Sequence, residues 1–309
     1  MNVFVTGGTG AIGRHTVPAL VAAGHSVTAL ARTPDKAQSL RQQGAHPVMV
    51  SLFSREALTG AFGGHDAVVN LASAIPSIAR FTSTKAWSEN DRVRTEGSTV
   101  VVEAALAAGV GRVVQESVSM VYPDRGADWI AEDVPPDRFP MARANLAAEA
   151  NVRRFASRGG TGTVLRFGWF YGPGARHSEQ MFKMARRHVG VVIGRPDSFV
   201  SSIHMADAAS AVVAALQAPG GLYNVVDDSP LTKHDYMAAL AAAAGRAAWV
   251  RGPGRLAVLL GDRLTSLTRS LRVSNRRFRT ATGWAPRFPS AREGWRATAE
   301  VLDTRDLRP

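Results

Sequence analysis

Residues 2–14, which read NVFVTGGTGAIGR, are the stretch that decides the fold. The apolar run at residues 3–5 predicts a buried strand, and it leads directly into a glycine cluster and then a helical spacing of apolar residues. The glycines are Gly7, Gly10 and Gly13, in the pattern G-x-x-G-x-x-G. Glycine lets a pyrophosphate lie against bare backbone, and the following helix offers its N–H groups and positive dipole end to the phosphates. The stretch therefore predicts a strand–turn–helix unit that binds a dinucleotide.

The length and composition of the chain limit its class. Its 309 residues suffice for one doubly wound domain and a smaller second lobe. The absence of cysteine excludes disulfides, thiolate metal sites and a cysteine nucleophile, and the eight histidines show no metal-ligand spacing. No apolar run is long enough to cross a bilayer, and Met1 leads into the first strand without a signal-peptide pattern. We therefore expect a cytoplasmic protein with no membrane partner and no metal.

The charge of the chain is strongly positive, at +12 from 37 basic and 25 acidic residues. Nearly all of the basic residues are arginines, which are scattered along the chain and densest at residues 269–279. Few aromatic residues lie among them, and the sequence contains no helix-turn-helix or RNA-binding motif. This pattern argues against a nucleic-acid partner and is compatible with an anionic small ligand.

Apolar runs and turn residues predict a regular alternation of strands and helices along the chain. Further strands are predicted at residues 26–31, 46–50, 66–71, 112–117, 163–167, 198–204 and 222–226. Further helices are predicted at residues 55–62, 88–108, 139–157, 178–189, 205–216 and 232–244. The alternation predicts an α/β fold with a doubly wound parallel sheet. We expect a dinucleotide-binding Rossmann domain at 1–170, which also receives elements from about 198–226, and a smaller α/β substrate lobe made mostly of 171–309.

The glycine segment TGGTGAIG, residues 6–13, resembles the short-chain dehydrogenase/reductase superfamily in its extended or atypical branch, the NAD-dependent epimerase/dehydratase-like proteins. The segment RFGWFYGPG at 166–174 and the turn GWAP at 283–286 resemble later segments of the same family. The resemblance implies a Rossmann fold, a nicotinamide cofactor and a small-molecule substrate.

Arg32 indicates which nicotinamide cofactor binds. It ends the second predicted strand, about twenty residues past the glycines, where the dinucleotide fold faces the adenosine ribose. An acidic residue there binds the 2′-hydroxyl of NAD, whereas the planar guanidinium of an arginine fits a 2′-phosphate. Lys36 adds positive charge close by in the sequence. The sequence therefore favours NADP(H).

The family resemblance assigns the other cofactor contacts to the carboxyl ends of the strands. Ser51 stands where the family often has an aspartate that meets the adenine amine, and the residues after the fourth and sixth strands pass the ribose and the nicotinamide. The implied cofactor-binding residues are Gly7, Thr9, Gly10, Ala11, Ile12, Gly13, Arg32, Lys36, Ser51, Leu52, Leu71, Ala72, Ser73, Ser117, Asn145, Phe167, Gly168, Trp169 and Phe170.

The catalytic Tyr-x-x-x-Lys pair of the family is missing. The predicted helix at 139–157 keeps the trailing L-x-x-E at 146–149, which puts Met141 at the tyrosine position and Asn145 at the lysine position. None of the four tyrosines in the chain is followed by a lysine four residues on. The usual proton donor and the lysine that lowers its pKa are therefore both replaced.

The candidate catalytic residues are those that can take over these roles. The strand end SVSMVY, residues 117–122, resembles the family's S-S-x-x-V-Y but keeps only the first serine. Ser117 is the first candidate, as an oxyanion donor, and Tyr122 the second, as a proton donor. Asn145 can hydrogen-bond the ribose in place of the lysine. Ser119 also lies at this strand end.

Four further features are expected to matter outside the cofactor half. His177 and His204 fall on segments expected to face the cleft, and Asp207 is expected to cap the helix that follows His204. The leucine- and arginine-rich segment 252–272 has the composition of either a lid over a substrate pocket or a homodimer surface.

Three functions remain open at this point. The first is an NADP(H)-dependent oxidoreductase that transfers hydride to or from a small carbonyl, alcohol or imine-type substrate without the usual Tyr/Lys pair. The second is a redox-neutral epimerase, dehydratase or cyclase that keeps its nucleotide bound. The third is a non-catalytic NADP-sensing regulator, which the persistence of the late family segments disfavours.

Overall fold

A computed structural model describes residues 1–76, 80, 83–190, 192–247, 250–251 and 265–306. Its strands are β1 (Asn2–Thr6), β2 (Ser26–Leu30), β3 (His46–Val48), β4 (Ala67–Asn70), β5 (Arg112–Val118), β6 (Trp129–Ile130), β7 (Thr161–Phe167), β8 (Trp169–Tyr171), β9 (Val189–Gly190), β10 (Phe199–Val200), β11 (Ser202–His204), β12 (Gly221–Val225), β13 (Leu231–Thr232), β14 (Val250–Arg251) and β15 (Arg272–Val273). Its helices are α1 (Gly13–Ala22), α2 (Pro34–Gln42), α3 (Arg55–Phe62), α4 (Thr84–Arg92), α5 (Ser98–Ala107), α6 (Pro140–Ala156), α7 (Arg176–Arg186), α8 (Met205–Ala215), α9 (Lys233–Ala243), α10 (Thr265–Thr268), α11 (Arg276–Thr282) and α12 (Ala291–Asp306).

Seven strands form one parallel sheet in the order β3-β2-β1-β4-β5-β7-β12. The chain starts in the middle at β1, where Val3 pairs with Val27 on one side and Ala67 on the other. Strand order therefore reverses at β1, and the carboxyl ends of β1 and β4 open a crevice at that reversal. The predicted α/β fold with a doubly wound parallel sheet is confirmed.

Helices cover both faces of the sheet because its strands are apolar on both. Val3 and Val5 of β1 belong to one buried cluster, with α1 and α8 over it. Phe4 faces the other way into a second cluster with α3, α5 and α6, and its ring meets Phe62 edge-on at 4.8 Å. Alternating side chains of a strand point to opposite faces, so a continuous apolar run marks a strand that is buried on both.

The predicted helix at 88–108 is wrong in its start and in its continuity. α4 begins at Thr84, and a π-helical turn, Val93–Gly97, separates it from α5. Arg94 lies in that turn, buried, and forms an ion pair with Glu116 at 2.8 Å. The helical spacing of apolar residues does not reveal a local change from α-helical to π-helical hydrogen bonding, which is why the π-helical turn was not predicted from the sequence. Just before this helix, residues 77–79 and 81–82 lie outside the described part of the chain.

The strand predicted at 198–204 is divided at Ser201. β10 before it pairs antiparallel with β13, while β11 after it pairs in parallel with β8. The Ser201 hydroxyl donates to the main-chain oxygen of Leu271 and accepts from the N–H of Val273. These two bonds let the chain leave one ladder and enter the other without an unpaired buried polar group.

The C-terminal α/β lobe has its own apolar core among α7, α9 and α12. Trp295 of α12 stacks on Tyr171 with ring centroids 5.2 Å apart, and Tyr236 of α9 meets both rings. A Cβ at Gly294 would lie 1.9 Å from the Tyr171 hydroxyl oxygen, so α12 can pack this closely against Tyr171 only with glycine at position 294. Thr232 caps α9 by accepting the N–H of Asp235.

A buried ion pair ties α6 to the main sheet. Glu149 of α6 is 0% exposed and accepts two hydrogen bonds from the Arg166 guanidinium, at 2.8 and 2.7 Å. It accepts a third from the Ser117 hydroxyl at 2.7 Å. Arg153, one turn along α6, lies 3.8 Å from the same carboxylate but is 66% exposed. One carboxylate is therefore approached by one buried and one solvated arginine.

Single substitutions of the two arginines test how the buried and the solvated ion pair differ in their contribution to stability. We expect Arg166→Met to lower the free energy of unfolding by about 3–5 kcal/mol, because it leaves a buried carboxylate without its cation. We expect Arg153→Met to cost less than about 1 kcal/mol, because a solvated pair is screened by water. Urea unfolding followed by circular dichroism measures both, and equal losses would contradict this account of Glu149.

Candidate active site

The turn between β1 and α1 is built to bring backbone close to a ligand. Gly7 has a φ of +70°, and a Cβ there would lie 2.4 Å from the main-chain oxygen of Leu71. A Cβ at Gly13 would lie 2.2 Å from the oxygen of Gly7, so α1 can start against the turn only with glycine. Gly10 is exposed, and the one atom near its Cβ position is the Gly7 oxygen at 3.0 Å. Gly7 and Gly13 thus pack against other backbone on the inner side of the turn, whereas Gly10 exposes backbone on the outer side, next to the N-terminus of α1. Exposed backbone at a helix N-terminus suits a pyrophosphate.

The glycine turn, residues 7–13, is called the glycine cradle below. Two cations follow the end of β2, the strand that pairs with β1 on this side of the cradle. Arg32 is exposed and Lys36 half-buried in the first turn of α2. Thr33 between them caps α2 by accepting the N–H of Lys36. Burial lowers the pKa of Lys36, and the charge of Arg32 lowers it further, so the two cations repel each other. A phosphate between them would relieve that repulsion.

The residues after β4 close the crevice from the other side. Asn70 fixes their start, because its side-chain oxygen accepts from the Thr6 hydroxyl and from the N–H of Ala72. Its amide also donates to Gln115 of β5 at 2.8 Å. The other predicted contact on this edge is Ser51, which is exposed and accepts the N–H of Phe53. Thr6 and Asn70, which end β1 and β4, together with Gln115 in the middle of β5, thus set the spacing of the crevice walls.

The segment between β7 and β8 is held by backbone on both sides. Gly168 donates its N–H to Val225 at 3.0 Å and Trp169 donates to Ser201 at 2.8 Å. A Cβ at Gly168 would lie 2.6 Å from the Ser201 oxygen. Phe170 packs its ring on Phe167, with centroids 5.2 Å apart. The segment is therefore a fixed wall at the carboxyl edge of the sheet.

His177 and His204 have structural contacts. The Nε2 of His177 lies 2.5 Å from the main-chain oxygen of Phe170, so this nitrogen carries the proton and donates. His204 accepts the N–H of Ala206 on its Nδ1, and burial lowers its pKa to about 4, which keeps it neutral.

The prediction that Asp207 caps α8 is wrong, because His204 is the cap. The Asp207 carboxylate instead accepts the N–H groups of Arg287 and Phe288, 80 and 81 residues away in the sequence. It thereby holds the C-terminal segment that follows α11 against the start of α8. A short-range capping pattern could not distinguish these two uses of an aspartate.

Two of the three predicted catalytic residues, Ser117 and Tyr122, lie in a buried network. Ser117 is 0% exposed and its hydroxyl donates to Glu149, as described above. Tyr122 is also 0% exposed, and its hydroxyl donates to the side-chain oxygen of Asn224 at 2.9 Å. Burial raises the pKa of Tyr122, against the opposing charge of Arg166, whose guanidinium lies 4.7 Å from the centre of its ring. Asn145 is buried in α6, one turn before Glu149. The structure thus brings Ser117 and Tyr122 together around Arg166, inside the protein.

A small cavity lies beside this network at the carboxyl edge of the sheet. It has a volume of about 50 Å³, and Ser119, Met120, Trp169 and Lys233 line it. Sequence reasoning noted Ser119 and Trp169 but missed Lys233, which begins α9. Its Nζ donates to the main-chain oxygen of Leu267 at 2.7 Å, and burial lowers its pKa to about 8. The rarity of lysine, four against 33 arginines, was the one available signal.

A wider cleft of about 1330 Å³ lies beside the edge strand β12, lined by Tyr223 and residues of α11. It does not include the glycine turn, so the size of a cleft alone would point away from the motif. Among the described residues, no group of His, Asp or Glu is arranged to hold a metal ion. None of the described helices is both long and apolar enough to cross a membrane.

The chain belongs to the NAD dependent epimerase/dehydratase family, whose model matches residues 3–225. This confirms the resemblance drawn from the glycine segment. The chain is 34% identical to the 3-diazoavenalumate denitrifying reductase of a Streptomyces species, over 95% of this chain and 99% of that protein.

Two solved structures are similar over nearly the whole chain. The first is the human epimerase family protein SDR39U1 with NADPH, at a TM-score of 0.84 and 26% identity over 97% of this chain and 99% of that one. The second is the UDP-glucose 4-epimerase of Thermus thermophilus in complex with NAD, at a TM-score of 0.80 and 26% identity over 98% of this chain and 99% of that one.

The cradle makes a testable difference between two helical glycines. We expect Gly13→Ala to weaken NADPH binding by about tenfold or more, which is ~1.4 kcal/mol, because the added Cβ meets only backbone and the turn must open. Gly60 of α3 has nothing within 4 Å of its Cβ position, so Gly60→Ala is the matched control. It should leave NADPH affinity unchanged and raise stability by about 0.5–1 kcal/mol. Calorimetric titration with NADPH measures the affinities, and unchanged affinity in Gly13→Ala would contradict the cradle.

Proposed function

We propose that the protein is an NADP(H)-dependent reductase or dehydrogenase that transfers hydride to or from a small organic carbonyl, alcohol or imine-type substrate. The observation that carries the proposal is the pair Arg32 and Lys36 beside the glycine cradle, two cations at the position that faces the adenosine ribose. The reductase named above, with 34% identity over nearly the full length of both chains, supports the reaction class.

The residues of the cradle and crevice fit such a cofactor. In the proposal, the N–H groups of the turn from Gly7 to Gly13 hold the pyrophosphate, and Arg32 with Lys36 binds the 2′-phosphate. Residues 71–73 pass the ribose, where Asn145 substitutes for the family's lysine, and residues 168–170 form the wall behind the nicotinamide. When bound, the nicotinamide supplies or accepts the hydride. The chain's own task is to orient the substrate and to stabilise the charge that develops on its oxygen or nitrogen.

The donor to that atom is Ser119 in this proposal. Ser119 shares the cavity with Trp169 of the nicotinamide wall, whereas the Ser117 hydroxyl is committed to the Glu149 carboxylate. The Tyr122 hydroxyl faces Asn224 in the interior. Ser117 and Glu149 then act as positioning residues, because they fix the end of β5 from which Ser119 projects. A serine hydroxyl in a site shielded from water can stabilise an oxyanion without a tyrosine.

Cofactor choice is testable at Arg32. We expect Arg32→Ala to reduce the preference for NADPH over NADH by about ten- to a hundredfold, because it removes a charge-assisted hydrogen bond worth ~1.5–3 kcal/mol. Arg41→Ala, an exposed arginine in the last turn of the same helix α2, is the control and should leave the preference unchanged. Calorimetric titration with each nucleotide measures the ratio. Equal affinity of the unmodified protein for NADPH and NADH would refute the proposed NADP(H) preference.

The donor is testable by comparing two serines. We expect Ser119→Ala to lower kcat about 10²–10³-fold in NADPH oxidation with a panel of small aldehydes, ketones and imines, while NADPH affinity stays constant. Ser117→Ala should lower kcat much less and should instead lower stability, because Glu149 loses a hydrogen-bond donor. A larger loss of kcat in Ser117→Ala would identify Ser117 as the donor. Turnover without any change in the absorbance of the nicotinamide would favour the redox-neutral alternative.

A further inference from the structure

Two cations line the cavity beside residues 168–170, and the reaction described above uses neither of them. Lys233 and Arg269 both line it, and no Asp or Glu is among its lining residues in the described part of the chain. The rest of its wall is mainly apolar, from Met120, Trp169 and Phe199. A cavity with cations on one side and apolar side chains around them is suited to an anionic group on an apolar or aromatic body.

The two cations differ in how far their charge is compensated. Arg269 donates to the main-chain oxygen of Tyr122 at 2.7 Å, forms an ion pair with Asp137, and lies 4.5 Å from the centre of the Phe139 ring. Its guanidinium is thus used by the protein itself. Its role at the cavity is structural, because it ties the segment after α10 to the turn that follows β5.

The charge of Lys233 is not compensated in this way. Its ammonium donates to the neutral oxygen of Leu267, and no carboxylate among the described residues forms an ion pair with it. The acidic group that acts on it is Asp124, which is itself 4.0 Å from Arg195 and accepts the N–H of Ser270. Burying an ammonium against one neutral acceptor costs free energy, and the binding of an anion beside it would offset that cost.

We propose that Lys233 binds a carboxylate of the substrate, so that the substrate class is a small carbonyl or imine-type compound carrying a carboxylate on an apolar or aromatic body. This inference rests on the proposed reductase function. The carboxylate lies at Lys233 in the cavity, whose volume of about 50 Å³ leaves room for little more than that group. The apolar body and the reacting group therefore lie outside it, next to Ser119, which lines the same cavity.

Benzoate and benzamide are the probes that test this assignment, because they share a ring and differ in charge. Each is titrated calorimetrically into the protein saturated with NADPH. We expect benzoate to bind the unmodified protein about ten- to a hundredfold more tightly than benzamide. Lys233→Met should abolish this preference, and Lys233→Arg should keep most of it. Lys183→Met, at an exposed lysine of α7, is the matched control and should change nothing.

The dependence on pH provides a readout that a merely structural lysine would not give. Benzoate affinity should fall about tenfold between pH 7 and 9, because the pKa of Lys233 is about 8 and the neutral amine does not attract the anion. The other charged groups that act on this position are Arg195, Asp124 and Arg269, and the guanidinium groups do not titrate in that range. Lys233→Arg should therefore remove the pH dependence.

The outcomes separate this inference from the proposed function. If NADPH binds but benzamide binds as tightly as benzoate, or if Lys233→Met keeps the preference, the carboxylate assignment is wrong. If NADPH itself does not bind, the proposed function is wrong whatever benzoate does. Retained NADPH affinity and an unchanged circular dichroism spectrum in Lys233→Met establish that the variant is folded.

Discussion

The buried carboxylate of Glu149 is the constraint on which the candidate site at the ends of β5 and β7 depends. A charge with no exposed surface must be paired and hydrogen-bonded, and Arg166 and Ser117 supply three bonds to it. These bonds join α6 to the ends of β5 and β7, the two strands that border the nicotinamide wall. They also fix Asn145, one turn earlier in α6. The Ser117 hydroxyl is used for this purpose, which is why the proposed donor is its neighbour Ser119.

The sequence predicted those parts of the molecule that depend on local patterns. The strands of the main sheet were found because most of them contain a short apolar run bounded by turn residues, and their predicted bounds differ from the observed ones by a few residues. The glycine turn was found because its three glycines recur at a fixed short spacing, although the contact that requires glycine at Gly7 is with the distant Leu71. Both patterns lie within a short stretch of sequence, so they can be recognised without knowledge of the fold.

Contacts between distant segments could not be predicted in the same way. Ser117 and Tyr122 were chosen for their place at a strand end, but their partners Glu149 and Asn224 lie 32 and 102 residues away. Whether a hydroxyl faces the cleft or a buried acceptor depends on those partners. Lys233 was missed for the same reason, because its importance comes from a cavity assembled by the turn after β5 together with β8, β10 and α9. The candidate site was therefore predictable as an edge of the sheet and not as a set of directed side chains.

The positive charge of the chain takes on a more specific meaning in this arrangement. Most arginines are solvated or paired within the protein, as Arg153 and Arg166 are with Glu149. Within the described part of the chain, two groups of cations have distinct surroundings: Arg32 and Lys36, which repel each other, and Lys233, which donates to a neutral oxygen. They stand at separate parts of the carboxyl edge of the fold, so two anionic groups can be held without competing for one cation. If the proposed cofactor phosphate and substrate carboxylate bind at these separate points, they leave little freedom for the reacting atoms between them, and such fixation would lower the barrier without a tyrosine–lysine pair.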